Sequence, residues 1–474
     1  IGLPYDMCRE TLFQPDVMML LARFSLSQHF LPEWIPAAFP GCTSAVALKE
    51  WTRNGKLLAC RNLDYPAVGH WEKNATVVFN EPSEKGEIPY VSLTAAGVAF
   101  SGITSMNSEG LTLSAHAHFA KEISLRGIPI VLIGDEIIRT ARTLGQAVDI
   151  ARKRKTIANW SFVMSSGKEN EAIVIEMTPS KVQVRNAQDG FISHTNYFHH
   201  PELRKDETLF CGGYCEDLIG RFCRIRQILE PHRGMLEPGH MSKALGDHID
   251  FHTQQERVVG NTIGVVSTVT SAVFEPESLR FWMACRNESP VSLSDYIEVK
   301  MEQFWKRSPE EYENSMGVLP PYSPKNPRLI EGLRFFREAY MAYHMNPHEP
   351  DYQEKALAAL QKAIDAYPSD GYLWLEAGVV ALKLRRVSEA RAFLENSQSL
   401  SFSSHMTAVR DLYLARCLDI LGHREQALDL YRRHLQVQEP KLIRAVQRGL
   451  RRPYRLKEVV HIVLDLQFPD SFQY

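Results

Sequence analysis

The chain has 474 residues, of which 44% are hydrophobic and 23% charged. That length holds two or three globular cores at about 150 residues each. The formal net charge of −2 excludes a global electrostatic pull toward nucleic acid or membrane, and no run of about 18 apolar residues marks a transmembrane helix.

The first residue is Ile1 rather than Met, which reads as processing or truncation; localisation stays open between export, toward which the missing Met points, and the cytoplasm. Residues 1–41 read as helical stretches ending in a proline-rich stop, Leu31-Pro32-Glu33-Trp34-Ile35-Pro36 and then Pro40-Gly41. From residue 42 to about 305 the pattern is α+β. Strand-like runs fall at Ser44–Leu48, Leu57–Arg61, Thr76–Phe79, Ser161–Met164, Ala172–Glu176 and Thr262–Thr270. Helical patterns fall at Ile130–Arg142, just after Pro129, and near Cys215–Leu229. Gly317–Pro327 carries four prolines and reads as a linker.

Residues 328–474 read as all helical, with an internal repeat. Ala356, Ala390 and Ala427 recur in similar contexts at spacings of 34 and 37. Trp374, Gly378 and Ala390 stand where a tetratricopeptide repeat keeps its signature residues, Ala363 and Pro368 do the same for the first repeat, and Gly422 fits the turn of the third. Small residues let paired helices approach, and proline ends the second helix. A plain helical bundle is the alternative. The basic run from Arg444 to Lys457 reads as a solvated helix face, or else as one facing an anionic partner or lipid.

The eight cysteines are too sparse for a disulfide scaffold. Cys211, Cys215 and Cys223 cluster; one disulfide among them is open, whereas zinc wants a fourth ligand and tighter pairs. His248 and His252 stand one helical turn apart, a spacing that permits a metal, but no catalytic glutamate accompanies them and they read as a solvated face.

The informative segment is Gly41-Cys42-Thr43-Ser44 followed by Cys60-Arg61-Asn62-Leu63-Asp64-Tyr65. Two strands flank the polar turn Arg53-Asn54-Gly55, which makes a hairpin and brings a thiol, a guanidinium and a carboxylate together. Positive charge nearby favours the thiolate. The hairpin contains no histidine to act as base. A cut after Gly41 would supply one, because the new α-amine of Cys42 has an ordinary pKa of about 8 and sits on the nucleophile's own residue. Asp64 would hold that amine and Arg61 would orient Asp64. Taken alone, Cys42 reads as a buried structural thiol, Arg61 and Asp64 as a simple ion pair, and Asn196 as a turn residue.

This pattern resembles the Ntn-hydrolase group that includes acid ceramidase, N-acylethanolamine acid amidase, penicillin acyltransferase and choloylglycine hydrolase. The resemblance implies a four-layer αββα sandwich, self-cleavage before the cysteine, and cleavage of linear amides or acyl transfer without a cofactor. Gly102-Ile103-Thr104-Ser105-Met106-Asn107-Ser108-Glu109-Gly110-Leu111 is similar to the family's turn between two strands, and Thr195-Asn196-Tyr197-Phe198 to the segment whose asparagine serves the oxyanion. By the same resemblance Arg221 is the arginine near the nucleophile, with Arg224 as the rival. Glu109, His116 and Tyr197 fall on the substrate-binding side. From the residues alone, Glu109 reads as a turn or capping residue and His116 as a satisfied strand histidine.

Two departures stand out. The hairpin is lengthened around Lys49-Glu50-Trp51-Thr52, and His116 stands near the position where relatives carry asparagine. Phe100, Trp160, Tyr197 and Phe198 would suit an apolar acyl group or a core. The expected organisation is a propeptide or small subunit (1–41), a catalytic domain (42–316), a linker (317–327) and a tetratricopeptide-like domain (328–474). The expected partner is a small N-acyl amide, with a protein partner or self-association through the tail. A catalytically silent scaffold is the alternative.

Overall fold

The computed structural model describes residues 13–21, 41–98, 101–208, 211–302, 317–468 and 470–473. The proline-rich stop before Gly41, Cys8 and Phe100 lie outside these. Two seven-stranded antiparallel sheets form the centre. The first runs in the order β10 (Phe191–His194), β1 (Gly41–Ala47), β2 (Leu58–Asp64), β11 (Thr268–Glu275), β12 (Arg280–Ala284), β13 (Tyr296–Lys300) and β14 (Val318–Leu319). The second runs from β3 (Ala75–Asn80) through β4 (Tyr90–Ala95), β5 (Thr104–Asn107), β6 (Leu111–His118), β7 (Asn159–Ser166) and β8 (Glu171–Met177) to β9 (Val182–Asn186).

Strand alternation sorts the side chains into layers. Val46 and Ala59 from the first sheet meet Val91, Leu93, Met106, Val163 and Val174 from the second, forming the core between the sheets. Ala45, Ala47, Leu58 and Cys60 turn the other way, onto Ile225 and Leu229 of the Gly212–Leu229 helix and Met241, Ala244 and Leu245 of the Pro238–Leu245 helix. On the far side, Leu113, Phe162, Met164 and Ile175 are covered by Ile130, Ile133 and Ile137 of the Ile130–Thr140 helix and by Ala147 and Ala151 of the Leu144–Lys153 helix. The result is the expected αββα sandwich.

The lengthened hairpin turn is a packing device: Trp51 is fully buried and stacks on Phe191 at 4.6 Å. The strand expected at Thr262–Thr270 begins only at Thr268. Residues 262–267 are irregular chain that follows the left-handed turn at Gly260 and Asn261, whose φ are +61° and +54°. Part of the proline-rich segment joins the sheet, as Val318 and Leu319 pair with β13. Cys211, Cys215 and Cys223 are free thiols, so no disulfide joins them. His248 and His252 lie on irregular chain rather than a helix, and His248 is fully buried against the Arg257 carbonyl (3.2 Å), so the solvated-face reading fails for it.

The C-terminal region is helical. The helices Arg328–Tyr340, Tyr352–Ala366, Gly371–Lys383, Val387–Asn396, Ser404–Ile420, Arg424–Arg433 and Pro440–Arg451 pack each against the next. Ala356, Ala390 and Ala427 fall on alternate helices and are fully buried. Arg448 and Arg452 of the basic run face Glu458 at 3.7 and 2.8 Å. The chain closes with a strand pair, β15 (Val463–Asp465) and β16 (Asp470–Gln473). Among the described residues no helix is long and apolar enough to cross a membrane, and no group of three or more His, Cys, Asp or Glu is arranged to hold a metal ion.

Candidate active site

The register of two strand pairs builds the site. In β1 and β2, Gly41 lies opposite Asp64, Cys42 opposite Leu63 and Ser44 opposite Arg61. In β2 and β11, Thr268 lies opposite Asp64, next to a bulge between Thr268 and Thr270. Such bulges re-aim side chains at functional edges. Directly opposed residues share a face and neighbours alternate. Cys42, Ser44 and Arg61 therefore face the second sheet, while Gly41, Thr43, Asp64 and Thr268 face the Gly212–Leu229 helix.

On the first face, the Cys42 thiol lies 3.4 Å from Arg61 Nη2 and 3.6 Å from the Ala115 carbonyl of β6. Arg61 Nη1 donates to the same carbonyl at 2.8 Å, so one backbone oxygen fixes both groups. Ser44 Oγ and His116 Nε2 share a hydrogen bond of 2.8 Å. Behind them His118 and His194 lie Nε2 to Nε2 at 3.3 Å, and His118 also meets Ser161 Oγ at 2.7 Å.

On the second face, Arg221 Nη1 donates to the Cys42 carbonyl (2.7 Å) and to Thr43 Oγ1 (2.9 Å). Its Nε donates to Asp217 Oδ2 one turn earlier at 2.8 Å. Asp64 Oδ1 accepts from Thr268 Oγ1 at 2.7 Å. A Cβ on Gly41 would stand 2.9 Å from Asp64 Oδ2, so the other carboxylate oxygen lies close to Gly41.

Asn196 lies between the two faces. Its Oδ1 accepts from the Cys42 N–H at 2.7 Å and from Arg221 Nη2 at 3.5 Å, while its Nδ2 donates to the Ala117 carbonyl at 3.1 Å. Two donors on one end and an acceptor on the other set the orientation of the amide. The other Nδ2 hydrogen lies on the side of the Cys42 thiol, where Asn196 favours the ionised form by hydrogen bonding.

Burial governs the electrostatics. It pushes the Cys42 thiol up, and Arg61 and Arg221 pull against it while Asp64 adds to it. It lifts Asp64 to about 6 against the pull of Arg221, Thr268 and Arg61. Burial together with Arg61 and Arg221 holds His116 well below its ordinary value, so that ring is neutral at physiological pH.

Beside the thiol is an apolar cavity of about 20 Å³, room for roughly one water. Leu63, Tyr65, Ile103, Ala115, Ala117 and Trp160 line it from the sandwich, and Pro15, Met18 and Met19 of the helical segment 13–21 close it. That segment is anchored by Asp16, which accepts from Trp160 Nε1 at 2.9 Å and from the Ile130 N–H at 3.0 Å.

Of the residues singled out in the sequence, Gly41, Cys42, Arg61, Asp64, Asn196, Arg221 and His116 converge. Arg224 does not join them; it forms a two-pronged pair with Asp247 at 2.8 and 2.9 Å. Glu109 is paired with Arg142 and Lys168 in the β5–β6 turn, beyond the start of β6, whose first residue Leu111 is about 13 Å from Ala115 at ~3.3 Å per residue. Tyr197 turns away from the thiol to pack on His199 and Phe222 at 4.4 and 5.7 Å. Arg61 does not orient Asp64, because three residues apart on a strand they point to opposite faces. Thr268 holds Asp64 instead, and Asp217 aligns Arg221. Asp217–Arg221 was visible as an i, i+4 pair on a helix; Thr268 carried no local signal.

Comparison with known proteins matches residues 51–290, just over half of the chain, to the family of acyl-coenzyme A:6-aminopenicillanic acid acyl-transferase. The chain belongs to this family. It is therefore an enzyme of the acyltransferase class. The matched span includes Arg61, Asp64, Asn196 and Arg221 and begins after Cys42. Solved structures similar to the chain include the Caenorhabditis elegans N-acylethanolamine-hydrolyzing acid amidase (NAAA) ortholog, at 20% identity and a TM-score of 0.33, covering 50% of this chain and 93% of that one. No curated protein matches the chain.

Proposed function

We propose that this acyl-transfer enzyme cuts itself between Gly41 and Cys42 and then cleaves, or transfers the acyl group from, a linear N-acyl amide through a thioester on Cys42. The observation that carries the reading is the convergence on one residue. The thiol of Cys42 lies 3.4 Å from Arg61, its N–H is held 2.7 Å from Asn196 Oδ1, and Asp64 Oδ2 lies close to Gly41, the residue before it.

In the first step the thiol adds to the Gly41 carbonyl carbon, and the carbon–nitrogen bond breaks as the nitrogen takes up the thiol's proton. Water then hydrolyses the resulting thioester, leaving a Gly41 carboxylate, a free thiol and a free α-amine on Cys42. In turnover that amine takes the thiol proton and the thiolate attacks the substrate carbonyl. The second Nδ2 hydrogen of Asn196 meets the oxyanion, an interaction typically worth about 3 kcal/mol of barrier. The departing amine takes the proton, and water or an acceptor amine resolves the thioester. The apolar lining around Trp160 and Tyr65 supports an apolar acyl group, which needs the space now filled by Met18 and Met19. His116 acts through Ser44, fixing β1 to β6. The C-terminal helices are proposed as tetratricopeptide-like repeats.

The test is the intact mass of the denatured protein together with a Cys42→Ala variant. Wild type is expected as two fragments divided after Gly41 that turn over an N-acyl amide, and the variant as one inert chain. Full turnover by Cys42→Ala overturns the reading. A second reading, a silent binding protein, draws support from the buried, closed-over thiol. It requires an uncut chain with no turnover at any pH.

A further inference from the structure

The Gly212–Leu229 helix presents Asp217 and Arg221 to Cys42, yet its own N-terminus carries no cap. Cys211 precedes it with extended backbone, and the Cys211 side chain makes no capping bond. The N–H of Gly213 donates instead to Asp470 Oδ2 at 2.9 Å, across a sequence separation of 257. Asp470, on β16, is buried, and the same Oδ2 also meets His405 Nε2 at 2.8 Å, in the first turn of the Ser404–Ile420 helix. Two residues before it, Phe468 packs edge-on against Tyr214 at 5.1 Å.

The fit is tight. A Cβ on Gly213 would sit 2.8 Å from Asp470 Cβ, and one on Gly212 would overlap the His405 ring. Two glycines open this helix because the terminal hairpin and His405 occupy the space a side chain would take. A carboxylate placed end-on to a helix N-terminus is held by its free N–H groups and by the helix dipole. It thereby fixes where the helix lies along its axis. Arg221, eight residues on, is about 12 Å down that axis at 1.5 Å per residue, and its guanidinium meets the Cys42 carbonyl at 2.7 Å.

The same hairpin reaches the other half of the site. Gln467 accepts a hydrogen bond from Ser267 Oγ. The Ser267 carbonyl accepts from the Tyr65 N–H at 2.9 Å, and the next residue, Thr268, donates to Asp64. Within four residues the terminal strand pair touches the helix that holds Arg221 and the loop that holds Asp64.

We propose that the β15–β16 hairpin is a positioning element of the active site, with Asp470 setting the axial position of the Arg221 helix and Gln467 setting the Thr268 loop. The inference rests on the reading of Cys42 as nucleophile. A misplacement of about 1 Å at a reacting group costs up to a hundredfold in rate. The hairpin therefore acts on kcat rather than on substrate affinity.

The test uses the full chain with Asp470→Ala, Asp470→Asn and Gly213→Ala. Three readouts are taken: cleavage after Gly41, kcat and KM on the dodecanoyl amide of 7-amino-4-methylcoumarin, and the rate of Cys42 alkylation by iodoacetamide read peptide by peptide. Asp470→Ala is expected to lose about tenfold or more in kcat with KM within about twofold, and to change the Cys42 alkylation rate. Asp470→Asn keeps a carbonyl oxygen for the Gly213 N–H and recovers most of the loss. Gly213→Ala behaves like Asp470→Ala, although alanine is the better helix former by about 1 kcal/mol. If Asp470→Ala does not fold, His405→Leu, which removes that contact to Asp470 and leaves the cap, is expected to show a smaller loss in kcat. Wild-type kcat and alkylation in these variants, or a rise in KM alone, overturns the proposal. A wild type that neither cuts nor turns over overturns the functional reading instead; the alkylation rates then decide the positioning role, and equal rates in wild type and Asp470→Ala reject it.

Discussion

Replacing Asp64 by Asn should stabilise the uncut chain at neutral pH. Asp64 is fully buried, and burial lifts its carboxyl from 3.8 to about 6 despite Arg221, Thr268 and Arg61. A carboxyl whose folded pKa exceeds its unfolded value contributes stability that is complete below the unfolded value and is lost as pH rises through the folded one. At 1.36 kcal/mol per pH unit, the ionised side chain costs the fold about 3 kcal/mol at pH 7.5, and about half of that at pH 5, where it is mostly protonated when folded. Asparagine keeps an oxygen for Thr268 Oγ1 and carries no charge. Urea unfolding of Cys42→Ala and of the double variant Cys42→Ala/Asp64→Asn, followed by fluorescence and circular dichroism in parallel, measures the gap without interference from cleavage. The double variant should be the more stable by about 1–3 kcal/mol at pH 7.5, and the gap should shrink by roughly half at pH 5. A double variant equal to or weaker than its parent at pH 7.5, or a gap that ignores pH, refutes the argument that Asp64 is held charged at the fold's expense.

Thr268→Val removes the donor at 2.7 Å from Asp64 while keeping the shape. Stability should fall by about 1–3 kcal/mol at neutral pH, and the rate of Gly41–Cys42 cleavage, followed by mass, should fall with it. Asp370 accepts from Arg257 Nη1 at 3.1 Å and from the Val258 and Val259 N–H groups at 2.7 and 3.0 Å. Asp370→Ala leaves Arg257 with Asp250 as its remaining carboxylate partner. It should cost about 3–5 kcal/mol, visible as earlier proteolysis of the C-terminal helices. Gly102 and Gly134 pack backbone to backbone: a Cβ on Gly134 would lie 2.8 Å from Gly102 Cα. Gly134→Ala, a change that in an open helix favours folding by about 1 kcal/mol, should instead lower the melting temperature.

How much could be read from the sequence follows from the range of each contact. Cys42 and Asp64 are 22 residues apart on one hairpin, so turn chemistry and strand period suffice to bring them together. Asn196 and Arg221 were reached through motifs, and geometry agrees because both reach the backbone of Cys42. The strand period separates Arg61 from Asp64: residues 61 and 64 differ by an odd number and cannot share a face. Thr268, Gln467 and Asp470 were out of reach. Each reaches the site through a bond to a partner 200 residues or more away, and threonine, glutamine and aspartate are common enough that no local pattern marks them. The helix expected from Cys215 begins at Gly212 for the same reason, since its cap arrives from residue 470. Glu109 and Tyr197 show the limit of motif transfer, which assigns an order along the chain but not the direction a side chain faces.

The closed form of the site also bears on why cutting and activity belong together in the proposed function. In the uncut chain the thiol is neutral, because burial outweighs Arg61 and Arg221, and Met18 and Met19 leave room for about one water beside it. A cut after Gly41 exchanges a neutral amide for an ammonium on the same nitrogen, the atom already 2.7 Å from Asn196 Oδ1. A positive charge there favours the ionised forms of both Asp64 and the thiol, opposing the desolvation that had raised them. The new charge would lie near Asp64, whose Oδ2 is close to Gly41. The cut also frees the segment bearing Met18 and Met19 from its covalent tie to β1, so the apolar lining can take an acyl chain in its place. In the proposed function the two arginines would match the charges that a cut creates, rather than the neutral groups of the uncut chain.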